Sequence, residues 1–140
     1  MTAAAPTPLA LVLDWQGVLA GSPDAPQVRA LVRRARAAGL QVAVVTNASV
    51  GEWRRHADDG AALADAVVVS GEVGLRKPDP AIYRLALERL GADDAQAVVI
   101  DDSRANVRGA VAAGLVGILH TGIETTREEL HALVPDAGWV

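Results

Sequence analysis

The stretch Leu9-Ala10-Leu11-Val12-Leu13-Asp14-Trp15-Gln16-Gly17-Val18-Leu19 decides the fold. Its opening apolar run is too short for a stable helix and too continuous for a strand with one wet face, so it reads as a strand buried on both sides. That strand ends in a carboxylate, Asp14, followed by a glycine-containing turn. Similar short runs rich in Val, Leu and Ile recur at Gln41–Val45, Ala66–Val69, Ala97–Ile100 and Leu115–Leu119. Between them apolar residues fall at helical spacing: Val28, Leu31, Val32 and Ala35 share one face, as do Ile82, Leu85, Ala86 and Leu90, and then Val107, Ala110 and Val111. Gly39, Gly91 and Gly114 follow these patterns where a helix end favours a left-handed residue. Asp79 before Pro80 has the form of a helix cap, because proline at the first helical position misses no donor. Strand and helix alternating along the chain imply an α/β fold: a doubly wound, Rossmann-like parallel sheet of about five strands with helices on both faces.

Composition supports a layered aliphatic core. Of 140 residues, 51% are hydrophobic, with no Phe, one Tyr and three Trp, so Ala, Val and Leu must fill the interior. Residues 1–8 are expected to form a disordered lead and residues 9–140 a single domain, with no repeat and no linker. Within that domain Glu52–His56 reads as helical and Asp58-Asp59-Gly60 as its termination. Ser70 and the segment Gly71–Gly74 read as a loop leading to Lys77. With no cysteine, disulfide frameworks and thiolate metal sites are excluded. A net charge of -4 offers no basic field, so no nucleic-acid partner is expected, and Arg33, Arg34 and Arg36 read as a solvated helix face. No run approaches a membrane span and the start lacks the features of a signal peptide, so a cytoplasmic location is expected.

In open parallel sheets ligands bind beyond the carboxyl ends of the strands. That edge collects Asp14, then Thr46 and Asn47, then Asp101 and Asp102. Together Asp14-Trp15-Gln16-Gly17-Val18, Val45-Thr46-Asn47, Gly74-Leu75-Arg76-Lys77-Pro78-Asp79-Pro80 and Ile100-Asp101-Asp102-Ser103-Arg104-Ala105-Asn106 resemble the four ordered motifs of the haloacid dehalogenase-like hydrolase superfamily. The resemblance implies that Asp14 is a nucleophile forming an aspartyl-phosphate. It also implies that Thr46, Asn47 and Lys77 bind the phosphoryl group, with Thr46 donating a hydrogen bond and Lys77 neutralising charge. For Mg²⁺, a cation that takes oxygen ligands and few carboxylates, it implies direct ligation by Asp14, Asp102 and the backbone carbonyl of Gln16, with Asp101 acting behind them. Asn106 stands where many relatives carry a further carboxylate.

Gln16 departs from the pattern, which usually has a second aspartate there to protonate the leaving group and then activate water. An amide can do neither, so turnover is expected to be weak. The intervals between motifs leave no room for an inserted cap domain, so a capless member is expected, its site open to a large phosphorylated substrate or covered by a neighbouring subunit in a homodimer. Two other classes compete with a hydrolase. One is a binding or regulatory module that keeps the pocket without hydrolysis. The other is a phosphoacceptor receiver domain, which would place its acidic pair after the first strand and not the fourth. Trp15 is expected in the core, and His56, His120 and His131 lack ligand-like spacing.

Overall fold

The computed structural model describes residues 9–92 and 96–135. The elements are β1 (Ala10–Leu13), α1 (Ala25–Ala37), β2 (Gln41–Thr46), α2 (Val50–Trp53), α3 (Ala57–Leu63), β3 (Ala66–Val69), α4 (Ser70–Val73), α5 (Pro80–Leu90), β4 (Ala97–Asp101), α6 (Arg104–Ala112), β5 (Val116–Leu119) and α7 (Ile123–Leu133). The strands form one five-stranded sheet in the order β3-β2-β1-β4-β5, and every neighbouring pair is parallel. The expected disordered lead, residues 1–8, lies outside the described residues.

The sheet separates two cores, as the alternation of side chains along a strand requires. Leu11 and Leu13 of β1, with Val42, Val44, Val98 and Ile100 beside them, pack against Val28, Leu31 and Val32 of α1 and Leu130 of α7. Ala10, Val12, Ala43, Val45 and Val99 turn the other way, against Ile82, Tyr83, Ala86 and Leu87 of α5 and Ala110 of α6. Helices therefore cover both faces of the sheet. The helix ends follow the sequence signals: Asp79 Oδ1 accepts from Ala81 N at 3.0 Å, and Gly39, Gly91 and Gly114 have φ of 93°, 63° and 98°. Trp15 is 2% exposed, meeting Trp53 edge-to-face with ring centroids 5.2 Å apart and lying 5.2 Å from the Arg29 guanidinium.

Four expectations need correction. Asp58-Asp59-Gly60 does not end a helix but lies inside α3, because Gly60 is seated against the Trp53 ring where a Cβ would collide, so packing overrides its weak helix propensity. Glu52–His56 is accordingly split between the short α2, opened by a capping box of Ser49 and Glu52, and the turn entering α3. Residues 70–73 form the helical turn α4, ended by left-handed Gly74, and are not a loop. On the β5 side, Val116 is 48% exposed and Val111 53% exposed, because β5 is an edge strand and α6 covers it only in part.

The loop carrying Lys77 is fixed from below by α6. A Cβ on Gly109 would fall on the carbonyl oxygen of Pro78, whose peptide bond to Lys77 is cis. Exposed Gly→Ala changes within helices usually stabilise by about 1 kcal/mol. Here the sign reverses: Gly109→Ala is expected to destabilise by about 1–3 kcal/mol through overpacking, read as a lower urea midpoint at unchanged m-value.

Candidate active site

Three central strands deliver the polar residues to one edge. The backbone N–H of Asp14 donates to Ile100 O at 3.0 Å, extending the β1–β4 ladder by one residue and fixing the carboxylate at the strand end. Its Oδ1 accepts from Trp15 N at 2.9 Å and from Lys77 Nζ at 2.7 Å. Lys77 Nζ also donates to Asp101 Oδ2 at 2.8 Å, so one ammonium bridges the ends of β1 and β4. This lysine is only 3% exposed, far from a surface side chain preceding a helix.

Asn47 explains how Lys77 is aimed. Its Oδ1 accepts from Lys77 N at 2.7 Å and its Nδ2 donates to Lys77 O at 3.1 Å, gripping that residue's backbone from both sides. Thr46 ends β2 and is 5% exposed, with its Oγ1 accepting from Ala48 N at 3.2 Å and its own proton left to donate. Asp101 is held hardest: besides Lys77, Oδ2 accepts from Asn106 Nδ2 at 3.2 Å and Oδ1 from Ser103 N at 2.9 Å. Asn106 is held in turn, its carbonyl accepting from the Tyr83 hydroxyl at 2.8 Å. Burial and the charges of Asp101 and Asp14 push the Tyr83 phenol upward, keeping it a neutral donor.

Asp14, Asp101 and Asp102 each bring a carboxylate oxygen within 4.8 Å of the others. One lysine cannot balance three negative charges, and burial pushes the Asp14 carboxyl up to about 7, with Lys77 lowering it and Asp101 raising it. A set of hard oxygen donors with surplus negative charge suits a hard divalent cation. Asp102 is exposed and lies over Gly17, where φ is 89° and a Cβ would strike its carboxylate, so this glycine is required both for backbone geometry and for room. Gln16 is exposed, and its side-chain amide rests on Gly21, where any Cβ would meet it.

Asp14, Asn47, Lys77 and Asp101 are thus joined by direct hydrogen bonds, with Asp102 beside the two aspartates. Thr46 occupies the neighbouring strand end, and the Gln16 amide turns to Gly21. The buttress from Tyr83 through Asn106 escaped the sequence reading, since it needs α5 and α6 to be packed together. So did His120, whose strand-end position after β5 was the available signal and whose ring reaches Asp24 and Thr126.

Comparison with known proteins agrees with the geometry. The family model described as haloacid dehalogenase-like hydrolase matches residues 4–114. The phosphoserine phosphatase of Thermus thermophilus is 42% identical over 94 residues, 64% of this chain and 37% of that protein. The phosphoglycolate phosphatase of Rhodospirillum rubrum is 39% identical over 100 residues, 69% of this chain and 41% of that protein. The chain therefore spans less than half the length of these two curated relatives. Among solved structures, an uncharacterized protein from Corynebacterium glutamicum superimposes with a TM-score of 0.79 at 31% identity, covering 89% of this chain and 93% of that one. No helix among the described residues is long and apolar enough to cross a membrane. The four motifs converge on one sheet edge and the family pattern extends over most of the sequence: the chain belongs to the haloacid dehalogenase-like hydrolases.

Proposed function

We propose that this chain hydrolyses phosphate monoesters in a Mg²⁺-dependent reaction through a phosphorylated Asp14. The observation that carries the reading is the Lys77 ammonium held between Asp14 and Asp101 at 2.7 and 2.8 Å, which places positive charge beside a strand-end carboxylate in a nearly dry site. Both curated relatives described above are named as phosphatases, which supports the ester class without choosing a substrate. Asp14, Asp102 and the Gln16 backbone carbonyl would hold the ion, with Asp101 behind them through its grip on Lys77. When bound, Mg²⁺ supplies positive charge that offsets the charge of the phosphoryl oxygens and the carboxylates.

With Asp14 Oδ1 engaged by Trp15 N and Lys77, Oδ2 is the oxygen available to attack phosphorus. An Oδ2–P bond forms as the P–O bond to the alcohol breaks, and the departing oxygen takes a proton from water. Thr46 donates its hydroxyl proton to a phosphoryl oxygen, while Lys77 and the second Nδ2 proton of Asn47 face the same group. A water then cleaves the acyl-phosphate, returning Asp14 and inorganic phosphate. Gln16 assists neither proton transfer. Gln16→Asp is therefore expected to raise kcat toward activated phosphate esters by about a hundredfold at saturating Mg²⁺. Steady-state kinetics with and without the metal test the reading: absence of any Mg²⁺-dependent turnover, even in the Gln16→Asp variant, overturns it.

The exposed Gln16 amide favours a second reading, a catalytically impaired module that binds metal and phosphate. Mg²⁺-dependent phosphate binding without hydrolysis would select it. In either case, among the described residues β1, β2, β3 and β4 are joined by segments holding only α1 to α5, which supports a capless site reached by cytoplasmic substrates directly or covered by a second copy of the chain.

A further inference from the structure

Tyr83 is the only tyrosine of a chain that has no phenylalanine. It stands near the start of α5, is 0% exposed, and shares its core with Val12, Val45, Ile82, Ala86, Val99 and Ala110. A ring without a hydroxyl would fill that aliphatic space. Burying a hydroxyl costs free energy unless it finds a partner, so the phenol is tolerated here through the bond it makes.

That bond goes to the Asn106 carbonyl, at 2.8 Å. The carbonyl lies inside α6, where the helical pattern brings it an N–H from one turn further on. It is therefore provided for without Tyr83, and the phenol adds a tie between two helix starts. α5 begins just after Lys77 and Pro78, with Asp79 as its cap, and α6 begins just after Asp101 and Asp102, with Ser103 as its cap. One turn further along α6, Gly109 lets the helix close on the Pro78 carbonyl.

Both starts serve one carboxylate. From the α5 side, Lys77 Nζ meets Asp101 Oδ2 at 2.8 Å while also holding Asp14 Oδ1 at 2.7 Å. From the α6 side come Ser103 N on Oδ1 at 2.9 Å and Asn106 Nδ2 on Oδ2 at 3.2 Å. The Ser103 bond is local and needs no support from a distance. The Asn106 bond is longer and depends on where the first turn of α6 lies, which is the turn that Tyr83 holds. With Asp101 only 1% exposed, water is poorly placed to replace a lost donor.

We propose that Tyr83 is a positioning residue for phosphoryl transfer: acting through Asn106, it sets how Asp101 presents the Lys77 ammonium to the phosphoryl group. This rests on the phosphatase reading above. The phenol touches neither the ester nor the ion. Its effect falls on the transition state, because a slightly displaced ammonium still attracts a bound phosphate but stabilises a transferring one less well.

The test is a double-mutant cycle on p-nitrophenyl phosphate at saturating Mg²⁺, with the wild type, Tyr83→Phe, Asn106→Ala and the double variant. Tyr83→Phe is expected to lower kcat about three- to tenfold, the worth of one hydrogen bond, with KM within about twofold of wild type. Asn106→Ala is expected to lower kcat by at least as much. Adding Tyr83→Phe to Asn106→Ala should then change kcat by less than about twofold, since the route to Asp101 is already cut. A tie that only steadies the fold gives another pattern, a lower melting temperature with unchanged kcat. Phenylalanine keeps the ring and alanine suits a helix, so melting curves are expected to show both single variants folded. An unchanged kcat in either single variant, losses that multiply in the double variant, or a rise in KM alone overturns the positioning role and leaves the phosphatase reading intact. No Asp14-dependent turnover in the wild type overturns both.

Discussion

Asp14→Asn is expected to abolish turnover, to at least about a thousandfold below wild type, while the metal-free variant is expected to melt higher than the wild type at pH 8. The first effect follows from chemistry, since a neutral amide cannot form the aspartyl-phosphate. The second follows from burial, which lifts the Asp14 carboxyl from 3.8 to about 7. A carboxyl whose folded pKa is raised gives its stabilisation in full below 3.8 and loses it as pH climbs through about 7, because the folded chain then carries a poorly solvated charge. Asparagine keeps the shape without the charge. The gain in Tm, roughly 3–6 °C at pH 8, should dwindle toward pH 5, where the wild type is protonated as well. Calorimetry at the two pH values, beside kinetics on an activated ester, checks both halves. A variant that loses activity with no pH-dependent gain in Tm would mean that Asp14 is hydrated more fully than its 9% exposure implies.

Lys77→Met is expected to damage fold and function together. The ammonium is the shared partner of two buried carboxylates, Asp14 and Asp101, at 2.7 and 2.8 Å. Methionine fills a similar volume and leaves both acids facing each other with no cation. Breaking a buried pair from one side costs about 3–5 kcal/mol, because the orphaned charge remains. Loss of a preorganised positive group at a phosphoryl site costs roughly a hundred- to a thousandfold in kcat. Saturating Mg²⁺ should restore part of the stability, since an ion among the same carboxylates supplies charge, but little of the rate. Urea titrations with and without Mg²⁺ separate these. Equal destabilisation in both conditions would place the metal away from Asp14.

Much of this could be read from the chain because local and global signals coincide in its centre. The apolar runs preceding Asp14, Thr46 and Asp101 are continuous because β1, β2 and β4 are buried on both faces, and polar residues at their ends need only one rule to be assembled. Legibility fails where a partner distant in sequence decides the outcome. Gly60 resembles a helix stop until the Trp53 ring is seen against it. Asn47 resembles a phosphate ligand by its position, and its grip on the Lys77 backbone, 30 residues on, is visible only in three dimensions. His120 lacks ligand-like spacing in the sequence, whereas its partner Asp24 stands 96 residues away. Val111 and Val116 satisfy the apolar period yet stay exposed, because the pattern cannot tell an edge from a centre.

The strand order β3-β2-β1-β4-β5 puts Asp14 at the end of the middle strand and Thr46 and Asp101 at the ends of the two flanking ones. Local opening in folded proteins begins at edges and spares the centre. Asp14, Thr46 and Asp101 are therefore mounted on the three inner strands of the sheet, while His120 and Thr121 follow β5, one of its two edge strands. Substitutions accumulating along that margin can reshape a cleft beside Asp102 while Asp14, Asp101 and Lys77 keep their places. In this small chain, adaptability and constancy are assigned to different strands.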